Sequence, residues 1–360
     1  MADRRLERQG ALAALCEAEG VAGLVVQSLP NIRYLTGFSG SAGLCLVGRG
    51  QTVLITDFRY ATQAPQESAT VARVEVDQVN IWDRLKRVAA GAPGPWAFES
   101  HVATVAELER LTAALGARPE PRAGLVERLR ERKAPEEVAA IRAAGALAEE
   151  ALAEVVATVR VGESELVIGA RLEEALRRRG SEWHPFPTIV ASGPRSALPH
   201  ARTSPREVGR GEFLLVDFGA QLGGYCSDIT RTFVVGGAPD ERQRAVYEVV
   251  EEAARRAREG VRAGMTGREG DQLARKPIAE RGYGEAFGHS LGHGLGLEVH
   301  EAPRLSPTAE GVLPAGAVVT IEPGVYLPGW GGVRLEDDVV LHPEGAESLT
   351  HFERSLTILG

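Results

Sequence analysis

The chain has 360 residues, 44% hydrophobic and 25% charged, ordinary values for a soluble folded protein, and its length exceeds the usual size of one core, so two domains are expected. A net charge of −8 argues against nucleic-acid binding, and no uncharged apolar run reaches transmembrane length, so neither nucleic acid nor membrane is expected as a partner. Three cysteines, Cys16, Cys45 and Cys226, form no CxxC spacing and leave an odd number, which argues against a disulfide framework and fits buried free thiols in a cytoplasmic protein.

The amino terminus is charged from Asp3 to Arg8, and its short apolar run, Ala11 to Leu15, soon meets Glu17, so it does not read as a signal peptide. Helical spacing covers Arg4 to Glu19. Strand patterns follow at Gly23 to Gln27, Gly43 to Val47 and Thr52 to Thr56, then helices near Trp82 to Ala90 and Val105 to Leu115. This alternation predicts a small α/β domain over residues 1–125. A charge-dense stretch, Leu125 to Lys133, leads to Pro135, which is well placed in the first turn of a long helix reaching about Val159. The second domain is therefore placed at 126–360.

That second portion continues with a helix over Glu165 to Arg179, whose terminal arginines favour the helix dipole, and a strand over Pro187 to Ala191. A further helix opens at Asp240, a plausible cap with Gln243 as its capping-box partner, and another lies near Arg268 to Arg281. A helix pair followed by an acidic hairpin occurs twice. The pattern suggests two similar halves closing around one site.

The hairpins carry the chemistry. In the run from Val216 to Asp228, two strand-like segments flank a glycine-rich centre, and folding about Leu222/Gly223 places Asp217 opposite Asp228. In the run from Glu322 to Glu336 the midpoint is Gly329. Facing residues on one sheet face have Cβ atoms roughly 4.5 to 5.5 Å apart, close enough for two ionised carboxylates to repel unless a cation intervenes. One acidic hairpin is ordinarily a solvated turn. Two of them, each following an apolar strand (Phe213 to Val216, Val318 to Ile321), place charge where it is costly unless compensated.

Between the hairpins, Gly288 to Glu301 interleaves glycines with His289, His293 and His300, as if backbone and ligand approach closely there. His101, His184, His342 and His351 read as packed or surface residues. Four carboxylates with an imidazole form an oxygen-rich set that favours Mn²⁺, Co²⁺, Fe²⁺ or Zn²⁺, and two divalent cations would balance the four charges. Such a pair can ionise water near neutral pH, so the implied reaction is hydrolysis.

These motifs resemble those of the prolidases (Xaa-Pro dipeptidases) and aminopeptidases P, metallopeptidases with the pita-bread fold. The resemblance rests on Leu198-Pro199-His200, on Val216 to Gly219 and Asp228 to Thr232, on His289 to Glu301, on Ile321 to Tyr326, and on Val333 to Asp338; Asn31 to Phe38 and Thr56 to Tyr60 are similar to the smaller amino-terminal domain. It implies an α/β (α+β) protein with a small amino-terminal α/β domain and a pita-bread catalytic domain. It also implies that Asp217 binds the first metal, that Asp228 and Glu336 bridge both, and that His293 and Glu322 bind the second, with Mn²⁺ the expected ion. Glu322 would in addition shuttle a proton to the leaving nitrogen. His200 and His300 would stabilise the oxyanion and position the peptide, and His289 and Arg334 would face substrate, Arg334 equally as a partner of a metal carboxylate. Tyr326 is expected in a supporting role.

The substrate implied is a di- or oligopeptide containing proline, and the assembly a homodimer. Dipeptidase action is expected first, with Arg59 or Arg33 as a source of positive charge for the substrate carboxylate. Aminopeptidase P activity on longer peptides shares every metal ligand. Two non-peptidase readings, a metal-free creatine amidinohydrolase and a binding module, fit poorly because all five ligand positions are intact.

Overall fold

In the computed structural model, residues 3–48, 50–90 and 94–360 are described, and the chain separates into two units, Met1–Arg130 and Glu131–Gly360. The first unit holds six strands: β1 (Gly23–Val26), β2 (Leu44–Gly48), β3 (Gln51–Asp57), β4 (Arg73–Asp77), β5 (Trp96–Glu99) and β6 (Glu120–Arg122). They form one mixed sheet in the order β4-β3-β2-β1-β5-β6, with β1 antiparallel to β2 and parallel to β5. Its helices are α1 (Arg4–Ala18), α2 (Leu29–Thr36), α3 (Gln63–Ser68), α4 (Ile81–Ala89), α5 (Val105–Leu115) and α6 (Leu125–Arg130). Local signals set these elements. Thr104 and Glu107 close a reciprocal capping box on α5, and Gly116 ends it at a φ of 73° that glycine adopts freely. The core lies between the sheet and α4 and α5, where Val25, Leu46, Val53, Leu85, Phe98 and Leu111 are buried together.

The second unit opens with α7 (Pro135–Val156) and α8 (Glu165–Arg178), which pack on a sheet of β7 (Ile189–Ser192), β8 (Glu212–Phe218) and β11 (Ile229–Val235). A two-residue ribbon, β9 (Gln221–Leu222) with β10 (Tyr225–Cys226), extends the β8–β11 hairpin, and β19 (Ile358–Leu359) completes the sheet order β19-β11-β8-β7. Then come α9 (Glu241–Gly260), begun by the Asp240–Gln243 capping box, and α10 (Gly267–Glu280). This second helix pair packs against a sheet ordered β13-β12-β14-β17-β18, comprising β12 (Gly292–Gly294), β13 (Glu301–Leu305), β14 (Val318–Ile321), β17 (Asp337–His342) and β18 (Gly345–Ser348). Between β14 and β17 the chain forms the ribbon β15 (Gly324–Leu327) and β16 (Gly331–Arg334). Two helix pairs thus support two hairpin-bearing sheets, each with its own apolar core.

The two hairpins interlock. Glu336 N–H donates to the Thr230 carbonyl (3.1 Å), and Thr232 Oγ1 donates to the Arg334 carbonyl (3.0 Å). All three cysteines are buried free thiols. Among the described residues no helix is long and apolar enough to cross a membrane.

Candidate metal centre

Strands β8 and β11 pair antiparallel with Asp217 across from Thr230 and Phe218 across from Ile229. The hairpin turns at Gly223-Gly224, with Leu222 paired to Tyr225, rather than at Leu222/Gly223. Both turn glycines have positive φ (59° and 82°), as a two-residue hairpin turn requires and as leucine resists. The expected facing of Asp217 and Asp228 is therefore corrected. Continuing the register sets Asp228 across from Gly219, two positions beyond Asp217 on the same face, so the two acids are diagonal neighbours. Gly219 permits this approach, since a Cβ there would meet the Ser227 carbonyl oxygen at 1.9 Å.

The second hairpin folds about its predicted midpoint. Ile321 pairs with Asp337 on one side and Gly324 with Arg334 on the other, which leaves Glu322 and Glu336 at facing positions between two ladders. His293 sits in the middle of β12, between β13 and β14. Its flanking glycines serve strand packing rather than ligand access: a Cβ on Gly292 would lie 1.9 Å from the Thr320 carbonyl oxygen, and one on Gly294 would lie 2.1 Å from that of Ala302.

These elements converge on a cavity of about 890 Å³ lined by Asp217, Asp228, His293, Glu322 and Glu336, with His200, His289, His300 and Arg334 also on its wall. Ligand atoms of Asp228, His293 and Glu336 all lie within 4.8 Å of one another. His293 Nδ1 lies 3.0 Å from the Gly294 carbonyl oxygen, an acceptor, so Nδ1 carries the ring proton and Nε2 presents a lone pair. That Nε2 is 3.5 Å from Glu322 Oε1 and 3.7 Å from Asp228 Oδ2. Burial holds the imidazole neutral, its pKa lowered to about 4.

Burial and mutual repulsion act in the opposite sense on the acids. Asp228 is raised well above the carboxylate range by burial and by Glu336 and Asp217; Glu336 is raised likewise by burial, Glu322 and Asp217. Burial pushes Glu322 up to about 8 against the pull of Arg334. Asp217 Oδ1, Asp228 Oδ1 and Asp338 Oδ1 are buried with no hydrogen-bond partner among the described residues, so three such carboxylate oxygens gather on one stretch of the structure. Crowded carboxylates, orphaned oxygens and a directed imidazole lone pair are what a divalent cation site needs, and these residues fit one.

Supporting contacts hold the acids in place. Arg334 is 3% exposed; it donates to Asp217 Oδ2, to Thr230 Oγ1 (3.1 Å), to Tyr326 Oη (2.9 Å) and to the Pro199 carbonyl (3.3 Å). Thr230 in turn donates to Glu336 Oε2 (2.6 Å), and Thr320 Oγ1 donates to Glu322 Oε1 (3.3 Å) while accepting from His293 N (3.1 Å). Asp338 Oδ2 accepts from Asp228 N (3.1 Å). Tyr326 lies outside the cavity wall but touches His289, whose Nε2 is 2.8 Å from Tyr326 Oη and whose Nδ1 is 2.8 Å from the Ser290 carbonyl. Both His289 nitrogens are thus engaged within the protein.

Thr230, Thr320 and Asp338 were not singled out from the sequence, because a hydroxyl or an acid beside a ligand becomes informative only once register is known. His184, read as a packed or surface residue, lies on the cavity wall stacked against Trp183 with ring centroids 4.5 Å apart. Arg304, also not singled out, lies on the wall with its guanidinium free of ion pairs and hydrogen bonds among the described residues. Arg59, one of two cations expected to serve the substrate carboxylate, is bound to Asp57 within its own unit (2.7 Å).

An oxygen-rich cation site between two interlocked hairpins is the centre of a metal-dependent hydrolase. A model of metallopeptidase family M24 matches residues 139–343, and one of the creatinase/prolidase N-terminal domain matches residues 8–132. The chain belongs to metallopeptidase family M24, a mixed α/β protein whose second unit has the pita-bread fold. It is 36% identical over 340 residues to an Xaa-Pro dipeptidase of Pyrococcus horikoshii, covering 92% of this chain and 93% of that one. The solved structure of an Xaa-Pro dipeptidase from Bacillus anthracis is 39% identical with a TM-score of 0.96, over 99% of this chain and 100% of the other. That of an X-Pro aminopeptidase from Thermotoga maritima is also 39% identical, with a TM-score of 0.90 over 98% and 99%.

Proposed function

We propose that this chain is an Xaa-Pro dipeptidase that hydrolyses the peptide bond before proline. The observation that carries this reading is the convergence of Asp217, Asp228, His293, Glu322 and Glu336 on one cavity, with Arg304, which has no ion pair among the described residues, on the same wall. Relatives named as Xaa-Pro dipeptidases support it. Asp217, Asp228 and Glu336 would hold one divalent cation, and Asp228, His293, Glu322 and Glu336 would hold the second. Manganese suits a set of four carboxylates and one imidazole.

Such cations, when bound, supply Lewis acidity and lower the pKa of water toward neutrality. The chain's own residues do the rest. Glu322 takes a proton from the attacking water and returns it to the proline nitrogen as the C–N bond breaks, releasing a free amino acid and proline. His200 and His300 donate to the developing oxyanion. Arg334 donates to Asp217 and orients it, and its bond through Tyr326 to His289 fixes that imidazole against the site. Arg304 takes the substrate's terminal carboxylate.

We place the protein in the cytoplasm, on the strength of its unpaired buried thiols, and as a homodimer, on its resemblance to prolidases. A second reading, removal of the first residue from longer Xaa-Pro peptides, draws on the likeness to the Thermotoga aminopeptidase. Hydrolysis assays with Mn²⁺ on an Xaa-Pro dipeptide, an Xaa-Pro-Xaa tripeptide and a non-proline dipeptide separate the two. Cleavage of the first alone is expected. Preference for the tripeptide would transfer the assignment to the second reading, and no proline-dependent cleavage with any divalent metal would remove both.

A further inference from the structure

His200 is carried on the segment between Ser192, which ends β7, and Ser204. Both ends of that segment converge on one carboxylate. Glu165, the first residue of α8, is 0% exposed. Its Oε1 accepts from Ser192 N (2.8 Å) and Ser192 Oγ (2.9 Å), and its Oε2 accepts from Ser204 N (3.2 Å) and Ser204 Oγ (2.6 Å). Arg195, within the segment, adds an ion pair at 3.1 Å. Backbone bonds reinforce the tie, from Leu166 N to the Ser204 carbonyl (3.0 Å) and from Glu165 N to the Arg206 carbonyl (2.9 Å). Between the ends, the Pro199 carbonyl accepts from Arg334 Nη1 at 3.3 Å, and Ala201 N closes a turn on the Leu198 carbonyl at 3.1 Å.

A carboxylate is the group this arrangement calls for. Both oxygens face backbone N–H donors, which cannot reverse roles, so an amide in the same place would point its own N–H at one of them. The segment is loop and 3₁₀ turn from Gly193 to Ala197 and has no ladder of its own; Gly332 N donates to Ser196 Oγ (2.8 Å) and Val190 N to Thr203 Oγ1 (3.0 Å), and among the described residues the Glu165 carboxylate is the one group that ties both ends of the segment together. We propose that Glu165 is a positioning residue for His200, fixing the loop that presents this imidazole to the metal cavity. The inference rests on the reading of His200 as an oxyanion partner.

The test is a double-mutant cycle on the manganese-loaded full chain with Glu165→Gln, His200→Ala and both, read as kcat and KM on an Xaa-Pro dipeptide. It is paired with amide hydrogen exchange over residues 192–206. Glu165→Gln is expected to lower kcat by about tenfold to a hundredfold, the scale of a misplaced catalytic group, with metal content unchanged. Exchange should quicken across 192–206 and stay unchanged in β8 and β11. In the His200→Ala background the same substitution should change kcat by less than about twofold, because there is no longer an imidazole to place. An equal loss in both backgrounds, or unaltered exchange, would overturn the proposal. Wild-type kcat in His200→Ala alone would instead remove the reading of His200, and the proposal with it. If Glu165→Gln does not fold, Ser204→Ala takes its place in the cycle; it deletes one hydroxyl donor, leaves the buried carboxylate intact, and should act in the same direction with a smaller loss.

Discussion

Arg334 donates through Nη2 to Asp217 Oδ2, while Asp217 Oδ1, buried and without a hydrogen-bond partner, is left for a cation. The guanidinium holds one oxygen so that the other can ligate. Lysine in its place offers a point charge without the fork that reaches Thr230 and Tyr326 at once. Arg334→Lys is expected to weaken metal binding about tenfold to a hundredfold, as measured by metal titration of the apoprotein. Wild-type affinity would mean that the contact with Asp217 is dispensable.

The metal-free protein should lose stability as pH rises from 6.5 to 8. Acids whose folded-state pKa is raised retain protons in the native state that the unfolded chain releases, so native stability falls between the unfolded and folded values. Asp228, Glu336 and Glu322 all shift this way, Glu322 from 4.5 to about 8. His289 and His293, lowered from 6.5 to about 4, act with the opposite sign, but only below 6.5. Thermal melts of the apoprotein across the window should show a declining midpoint, and saturating Mn²⁺ should abolish the slope. A midpoint that rises with pH in the apoprotein would contradict the crowding of carboxylates.

Ligand and oxyanion roles separate by metal content. Asp228→Ala or Glu336→Ala removes a group proposed to be shared by both cations and should abolish activity and lower bound metal together. His300→Ala should keep the metal and lose about a hundredfold to a thousandfold in kcat. Joint loss of metal and turnover in His300→Ala would reverse the assignment of the two imidazoles, whose rings lie 4.4 Å apart.

Arg304→Met should raise KM for an Xaa-Pro dipeptide by about tenfold to a hundredfold, the worth of one charge-assisted contact, and leave kcat nearly unchanged. The same change should not affect a dipeptide amide, which lacks the carboxylate. An equal loss on both substrates would place Arg304 away from the substrate terminus.

Much of the site is legible from local chemistry. The Asp240–Gln243 capping box and the Glu322–Glu336 facing follow from short-range rules, the second because Gly329, at a φ of 78°, marks its midpoint. The first hairpin was displaced by one position at its turn although its signal is local: only Gly223-Gly224 offers two adjacent residues free to take positive φ. Glycines beside His293 pointed to a close approach without saying what approaches, since strand-to-strand and ligand contact demand the same small residue. The ties from Thr230 to Glu336, Asp338 to Asp228 and Glu165 to Ser204 join residues 106, 110 and 39 positions apart, which no periodicity reports.

The most direct test of the central claim is the number and placement of metal ions. Anomalous scattering from crystals soaked in Mn²⁺ should show two peaks roughly 3.5 to 4 Å apart. One should lie against Asp217, the other against His293 and Glu322, with Asp228 and Glu336 between them. A single peak, or two that leave Asp217 or His293 unbound, would contradict the proposed dinuclear centre.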